Sequence, residues 1–156
     1  MNLQKTVDNI GSTTKLKMLF GSVEVLSHDR GWKMLCDIEG DLKIIIGNKV
    51  LFDVENILLL ELALALMKWI DKIESGNIVS FYYESMDYED KPILAFTFND
   101  DFWKVYSVWQ VSSISENKLS LEEAIYSSKS YIAKLLAYLK SNFEFDFLLL
   151  LRSQKS

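Results

Sequence analysis

Residues 54–75 read VENILLLELALALMKWIDKIES, and this stretch separates two regions of β-strand pattern. Within residues 57–67 only Glu61 is charged, so apolar side chains nearly encircle the predicted helix. A helix of this kind is mostly buried. Asp53 precedes it as the predicted N-cap residue, and Gly76 follows it as the predicted C′ residue. We expect this helix to lie across one face of a β-sheet.

Short strand-forming runs with turn signals between them precede the helix. They cover residues 15–20, 22–26, 31–38, 42–46 and 49–52. The dipeptide Gly47-Asn48 separates the last two runs and is typical of a hairpin turn. This pattern predicts an antiparallel meander of four or five strands.

The region after the helix is again of β type, with runs at residues 77–83, 92–98 and 102–109. Neither face of the last two runs is polar, so either both faces are covered or one presents an aromatic surface. Ser120-Leu-Glu-Glu123 is a capping box that begins an amphipathic helix. The stretch 143–151, FEFDFLLLL, is either a last strand or an extension of that helix, and we favour the strand.

The element order predicts an α+β fold. We expect a mainly antiparallel sheet of about six to eight strands with two long helices, in the order β-meander, α, β-hairpins, α and a possible C-terminal strand. A chain of 156 residues suits a single domain, here 1–156, with residues 1–13 as a loose polar start.

Negative charge is concentrated in one short segment. The net charge is −5, and residues 84–101 contain six acids and one base, Lys91, so this segment accounts for the whole imbalance. Such a surface repels phosphate, so we expect no nucleic-acid partner.

The composition favours a cytoplasmic protein. One cysteine permits no internal disulfide, and the N-terminal residues contain no apolar run typical of a signal peptide. The longest apolar stretch, residues 57–70, is interrupted by Glu61 and Lys68 and is shorter than the roughly 18 residues of a membrane span. We therefore predict no membrane association.

The sequence offers little catalytic equipment, so we predict no catalytic residue, no metal and no cofactor. No glycine-rich phosphate loop is present, and one histidine and one cysteine cannot form a zinc site. His28 is interpreted as a solvated turn residue and Cys36 as a core residue. Asp37, Asp41 and Lys43 resemble the acid and lysine pattern of metal-dependent nucleases. An ordinary hairpin turn is the preferred interpretation, because no basic surface accompanies them to hold a nucleic-acid backbone.

The acidic segment lies beside many aromatic rings, among them Tyr82, Tyr83 and Tyr106. Tyrosine and tryptophan anchor protein interfaces, and surrounding acids steer a basic partner. A solvated acidic turn and buried rings are the plainer interpretation. The predicted partner-binding residues are Glu84, Asp87, Tyr88, Glu89, Asp90, Asp100, Asp101, Trp103 and Trp109.

The stretches LLLELALALMKWI, FYYESMDYEDKPILAFTF and FWKVYSVWQ carry a family resemblance over about residues 40–112. Their pattern is similar to that of the small acidic immunity proteins of bacterial polymorphic-toxin systems. The resemblance implies a non-enzymatic inhibitor whose partner is a cognate basic toxin domain. Two alternatives stay open, namely a structural or homo-oligomeric module and an enzyme with a carboxylate-based or metal-dependent site.

Overall fold

A computed structural model describes residues 15–26, 37–85, 89, 91–99, 102–111 and 118–147. It has two helices and two antiparallel sheets, one of three strands and one of four, so the predicted α+β class is confirmed. Within these ranges the strands number seven, which agrees with the predicted six to eight, and they are divided between the two sheets. Several predictions concern residues outside the described ranges, namely the loose start at residues 1–13, His28, Cys36 and most of the run 31–38.

The first sheet is a meander of β1 (Leu16–Val25), β2 (Ile38–Ile46) and β3 (Lys49–Leu58). The predicted turn at Gly47-Asn48 joins β2 to β3, and Gly47 has a φ of 61°, which glycine adopts without strain. The two predicted runs around Gly21 form one strand, because a bulge between Gly21 and Glu24 shifts the register without ending the pairing with β2.

The first helix, α1 (Leu59–Glu74), begins later than predicted. Asp53 is not its N-cap, because β3 continues to Leu58 and Asp53 pairs with Lys43 of β2 in mid-strand. Asn56, which has a φ of 60°, lies where the register of β3 shifts against β2, and α1 then starts after Leu58 without a side-chain cap. Pairing with β2 therefore extends the strand into a segment whose local pattern also suits a helix.

The rest of α1 follows the sequence prediction. Only Lys68 is exposed among residues 59–70. Gly76 has a φ of 99°, and its amide donates to the carbonyl of Ile73 while the Asn77 amide donates to that of Lys72. These two bonds form a Schellman motif, which confirms Gly76 as the C′ residue.

The second sheet is a meander of β4 (Phe81–Tyr83), β5 (Leu94–Asn99), β6 (Phe102–Tyr106) and the two-residue β7 (Lys118–Leu119). Its inner face packs against α1, where the Trp69 ring lies 5.5–6.0 Å from the rings of Phe81, Phe96 and Trp103. Residues 93–96, around the start of β5, are all buried. Both faces of β5 are therefore covered over these residues, which explains why neither face is polar in the sequence.

The second helix, α2 (Leu121–Phe143), begins at the predicted capping box. The Glu123 amide donates to Ser120 Oγ at 3.1 Å, and the Ser120 amide donates to Glu123 Oε1 at 3.3 Å. The buried face of α2 packs against α1 and β1. There Ser127 Oγ donates to the carbonyl of Leu16 at 2.7 Å. The buried hydrophobic side chains of both sheets and both helices form one cluster.

The end of the described chain is not a strand, contrary to the prediction. Glu144 has a φ of 54° and ends α2, and residues 144–146 have no regular structure. Phe145 and Phe147 are nevertheless buried, so their rings dock on the core without pairing with a sheet. Residues 148–151 lie outside the described part. Among the described residues, neither helix combines the length and the apolar character needed to cross a membrane.

Candidate functional site

The outer face of the second sheet carries two exposed tyrosines in one cross-strand row. Tyr82 of β4 pairs with Ala95 of β5, which pairs in turn with Tyr106 of β6. Directly paired residues project from the same face, so the two rings stand on either side of Ala95. Tyr82 is 57% exposed and Tyr106 is 41% exposed, whereas Ala95 is fully buried. We call these three residues the tyrosine row.

The acidic connection, residues 84–92, leads from the end of β4 towards the start of β5, on the side of the tyrosine row where Tyr82 pairs with Ala95. Glu84 and Glu89 are exposed, and the Pro92 carbonyl accepts a 3.1 Å hydrogen bond from the amide of Val108. This bond holds the connection beside the end of β6. The predicted residues Asp87, Tyr88 and Asp90 belong to the same connection but lie outside the described residues.

A single salt bridge partly balances the charge of the acidic connection. Lys91 Nζ lies 3.7 Å from Glu84 Oε2, and both side chains are about half exposed. An ion pair so exposed contributes little to stability, and solvent screens it strongly. The Glu84 carboxylate therefore stays accessible to a partner.

Only part of the predicted acidic surface lies within the described residues. Asp100 and Asp101 lie outside the described residues, between Asn99 and Phe102, which pair with each other at the opposite end of the sheet from Glu84. The six residues of β5 separate the two ends, a distance of about 17 Å. The candidate site therefore consists of the tyrosine row and the acidic connection, without the second turn.

The two predicted tryptophans have different positions. Trp103 is only 4% exposed and faces α1, where it contacts Trp69, so it belongs to the core and not to an exposed surface. Trp109 is partly buried in the turn after β6, packs against the core, and its amide donates to Ser107 Oγ at 3.0 Å. Trp109 thus stays at the margin of the candidate site.

Sequence reasoning did not choose between inward and outward rings. Tyr82 and Tyr106 were recognised as rings near the acids but were not among the predicted partner-binding residues. Their exposure follows from alternation with Phe81 and Val105, which are buried against α1. The sequence shows this alternation, but which of the two faces of the sheet is buried depends on where α1 packs.

The outer face of the first sheet contains a shallow cavity of about 250 Å³ lined by Leu19, Phe20, Gly21, Asp41, Lys43 and Asp53. Lys43 Nζ lies 3.6 Å from Asp53 Oδ2, so the lysine of the nuclease-like pattern is paired across the strands. Within the described ranges, no group of three or more histidine, cysteine, aspartate or glutamate side chains is placed to hold a metal ion.

A buried phenol of α2, beside the start of α1, has a raised pKa. Burial raises the pKa of Tyr131 well above its usual value, and the neighbouring Tyr83 adds to the rise. Tyr131 is 1% exposed and its hydroxyl donates to the carbonyl of Leu59 at 2.7 Å. The Tyr83 hydroxyl donates to Glu61 Oε1 at 2.9 Å. These bonds join β4 and α2 to the start of α1, which is a structural role.

These features define an α+β protein whose described residues present an aromatic and acidic surface at one end of its second sheet. A family model described as "Domain of unknown function (DUF7878)" matches residues 16–141, and the chain belongs to this family. The match covers every described strand and most of α2. No curated protein and no solved structure matches the chain.

Proposed function

We propose that this chain is a non-enzymatic binding protein that captures a basic partner protein through the tyrosine row and the acidic connection. The observation that supports it is a row of two exposed tyrosines on a sheet whose β4–β5 connection contains exposed Glu84 and Glu89. Tyrosine rings supply contact area at low entropic cost and keep a polar end in water. Carboxylates around such rings accelerate the encounter with a cationic protein.

The role proposed for this binding is inhibition of a toxin, as in the immunity proteins that the sequence resembles. An inhibitor needs a rigid surface and no catalytic group of its own. The negative surface would compete for a toxin's cationic, phosphate-binding groups by presenting carboxylates in their place. The single cysteine is consistent with action in the reducing cytoplasm.

The test begins with affinity capture of the partner from the native host and compares two charge-reversed variants. Glu84→Lys/Glu89→Lys alters the candidate site, and Glu24→Lys/Glu55→Lys makes the same charge change at exposed residues of the first sheet. We expect the first variant to associate with the purified partner about tenfold more slowly at low salt. The control variant should be affected much less.

Inhibition is tested by co-expression of the chain with the captured partner. We expect the wild-type chain to restore growth that the partner alone prevents, and the Glu84→Lys/Glu89→Lys variant to restore less. Association rates that do not respond to reversal at Glu84 and Glu89, or a partner that is not basic, would refute the proposed surface. A partner that does not arrest growth would refute the inhibitory role.

A further inference from the structure

Strand β4 forms one edge of the second sheet, and its hydrogen bonds show which backbone groups face outward. The Tyr83 carbonyl accepts from the Ile93 amide at 3.0 Å, and Ser80 Oγ accepts from the Phe98 amide at 3.1 Å. Tyr83 and Phe81 therefore direct their backbone groups toward β5. Because these groups alternate along a strand, the N–H and C=O of Tyr82 point to the open side.

In the part of the chain that the structure describes, no strand pairs with β4 on that side. The Tyr82 side chain is more than half exposed, and Glu84 follows at the next residue of the same alternation. Among the described residues, the open edge therefore presents the outward N–H and C=O of Tyr82 together with its phenol ring, and the Glu84 carboxylate follows the end of the strand. An edge of this kind is a template for strand addition.

Two side-chain hydrogen bonds also fix the edge strand β4 against the core. Trp69 Nε1 donates to the Val79 carbonyl at 2.8 Å just before β4, and the Tyr83 hydroxyl donates to Glu61 at the other end. Both bonds anchor β4 to α1. A strand that is already fixed loses little conformational entropy when a second strand pairs with it.

We propose that the partner presents an extended, lysine- or arginine-bearing segment that pairs with β4 at Tyr82. This inference rests on the proposed function and specifies how the partner binds. The occupant is basic because exposed Glu84 directly follows β4 and exposed Glu89 lies in the acidic connection. Backbone bonds at Tyr82 hold the segment, and its alternate cationic side chains reach these carboxylates.

The probe is a terminally blocked seven-residue peptide of alternating lysine and valine. Its control is the same peptide with N-methyl groups on every backbone amide, which removes the donors from both edges of the peptide and keeps every side-chain charge. We expect the unmodified peptide to slow hydrogen exchange at the Tyr82 amide, and the methylated peptide to bind at least about tenfold more weakly. Equal binding of the two peptides would overturn the proposal.

A second comparison uses Tyr82→Pro and Tyr82→Ala. Proline is tolerated at an edge position whose N–H faces outward, so the fold is expected to persist. Both variants lose the ring, but only proline loses the N–H. We expect Tyr82→Pro to bind the unmodified peptide about tenfold more weakly than Tyr82→Ala. Equal affinities of the two folded variants would overturn strand pairing.

One further outcome separates this inference from the proposed function, and two others refute the inference alone. If the captured partner binds Tyr82→Pro as tightly as Tyr82→Ala but fails to bind Glu84→Lys/Glu89→Lys, strand pairing is wrong and the binding function stands. If the Tyr82 amide is protected without peptide in a concentration-dependent way, a second copy of this chain occupies the edge and the proposal fails. Unchanged exchange at millimolar peptide also refutes it.

Discussion

The hydroxyl group of Tyr131 donates a 2.7 Å hydrogen bond to the carbonyl oxygen of Leu59, the first residue of α1. Both residues are buried. The bond joins the middle of α2 to the point where β3 becomes helix, a point that has no side-chain cap. Tyrosine is therefore required at this position for its polar end as well as for its ring.

Replacement of Tyr131 by phenylalanine removes this bond and keeps the ring. We expect Tyr131→Phe to lower the free energy of unfolding by about 1 kcal/mol, because the Leu59 carbonyl loses its tyrosine donor in a buried place. Urea denaturation measures the change. The matched control is Tyr138→Phe, whose side chain is 37% exposed and which should change stability by less than about 0.5 kcal/mol. Equal effects of the two substitutions would contradict the structural role of the Tyr131 hydroxyl.

The raised pKa of Tyr131 predicts a loss of stability in alkali. Burial raises this pKa above the ordinary value of 10.0, and Tyr83 adds to the rise. The unfolded state therefore releases the phenol proton first, so the stabilisation is complete below pH 10 and declines as pH rises beyond it. We expect the free energy of unfolding of the wild type to fall more steeply than that of Tyr131→Phe, by about 1.4 kcal/mol per pH unit. Parallel curves above pH 10 would show that Tyr131 ionises equally in both states.

Gly40 lies where β2 passes close to the bulged part of β1. A Cβ atom at this position would lie 2.6 Å from the Gly21 carbonyl oxygen and 2.7 Å from Leu59 Cδ1. We expect Gly40→Ala to cost about 2–3 kcal/mol, measured by denaturant unfolding. Gly21→Ala is the control, because a Cβ atom there meets nothing within 4 Å. A Gly40→Ala protein as stable as the control would show that the strands separate at little cost.

The ion pair between Lys129 and Glu74 links α2 to α1. Lys129 Nζ lies 2.6 Å from Glu74 Oε1, and the lysine side chain is 8% exposed whereas the glutamate is 42% exposed. Glu74→Gln leaves a buried cation with a weaker partner, so we expect a loss of about 1–3 kcal/mol in thermal or chemical unfolding. Asp53→Asn, which affects the exposed pair with Lys43, should cost less than about 1 kcal/mol. A larger effect at Asp53 would reverse this ranking.

Several elements could be predicted because their signals are local. The capping box at Ser120 and Glu123, the turn at Gly47 and the helix end at Gly76 depend on a few neighbouring residues, and each was found where the sequence placed it. The start of α1 could not be predicted in this way. Ile57 and Leu58 suit strand and helix equally, and their pairing with Gly40 and Glu39 decides between the two.

The candidate site was predicted only in part. Glu84 and Glu89 are exposed as expected, but the direction of the Trp103 ring depends on the packing of α1 against the second sheet. That packing is a tertiary property. The opposite placement of Glu84 and the Asn99–Phe102 pair, by contrast, follows from connectivity, because consecutive turns of a meander lie at opposite ends of the strands.

The hydrogen bond from Ser127 to Leu16 has a consequence for the order in which the chain acquires its structure. The two residues are 111 positions apart, and Lys15 likewise reaches the carbonyl of Lys118 across 103 positions. During synthesis the first strand must wait for nearly the whole chain to leave the ribosome before these contacts form. A nascent chain stalled before α2 would therefore expose the part of β1 that α2 contacts in the folded protein. This chain order makes aggregation during translation a risk.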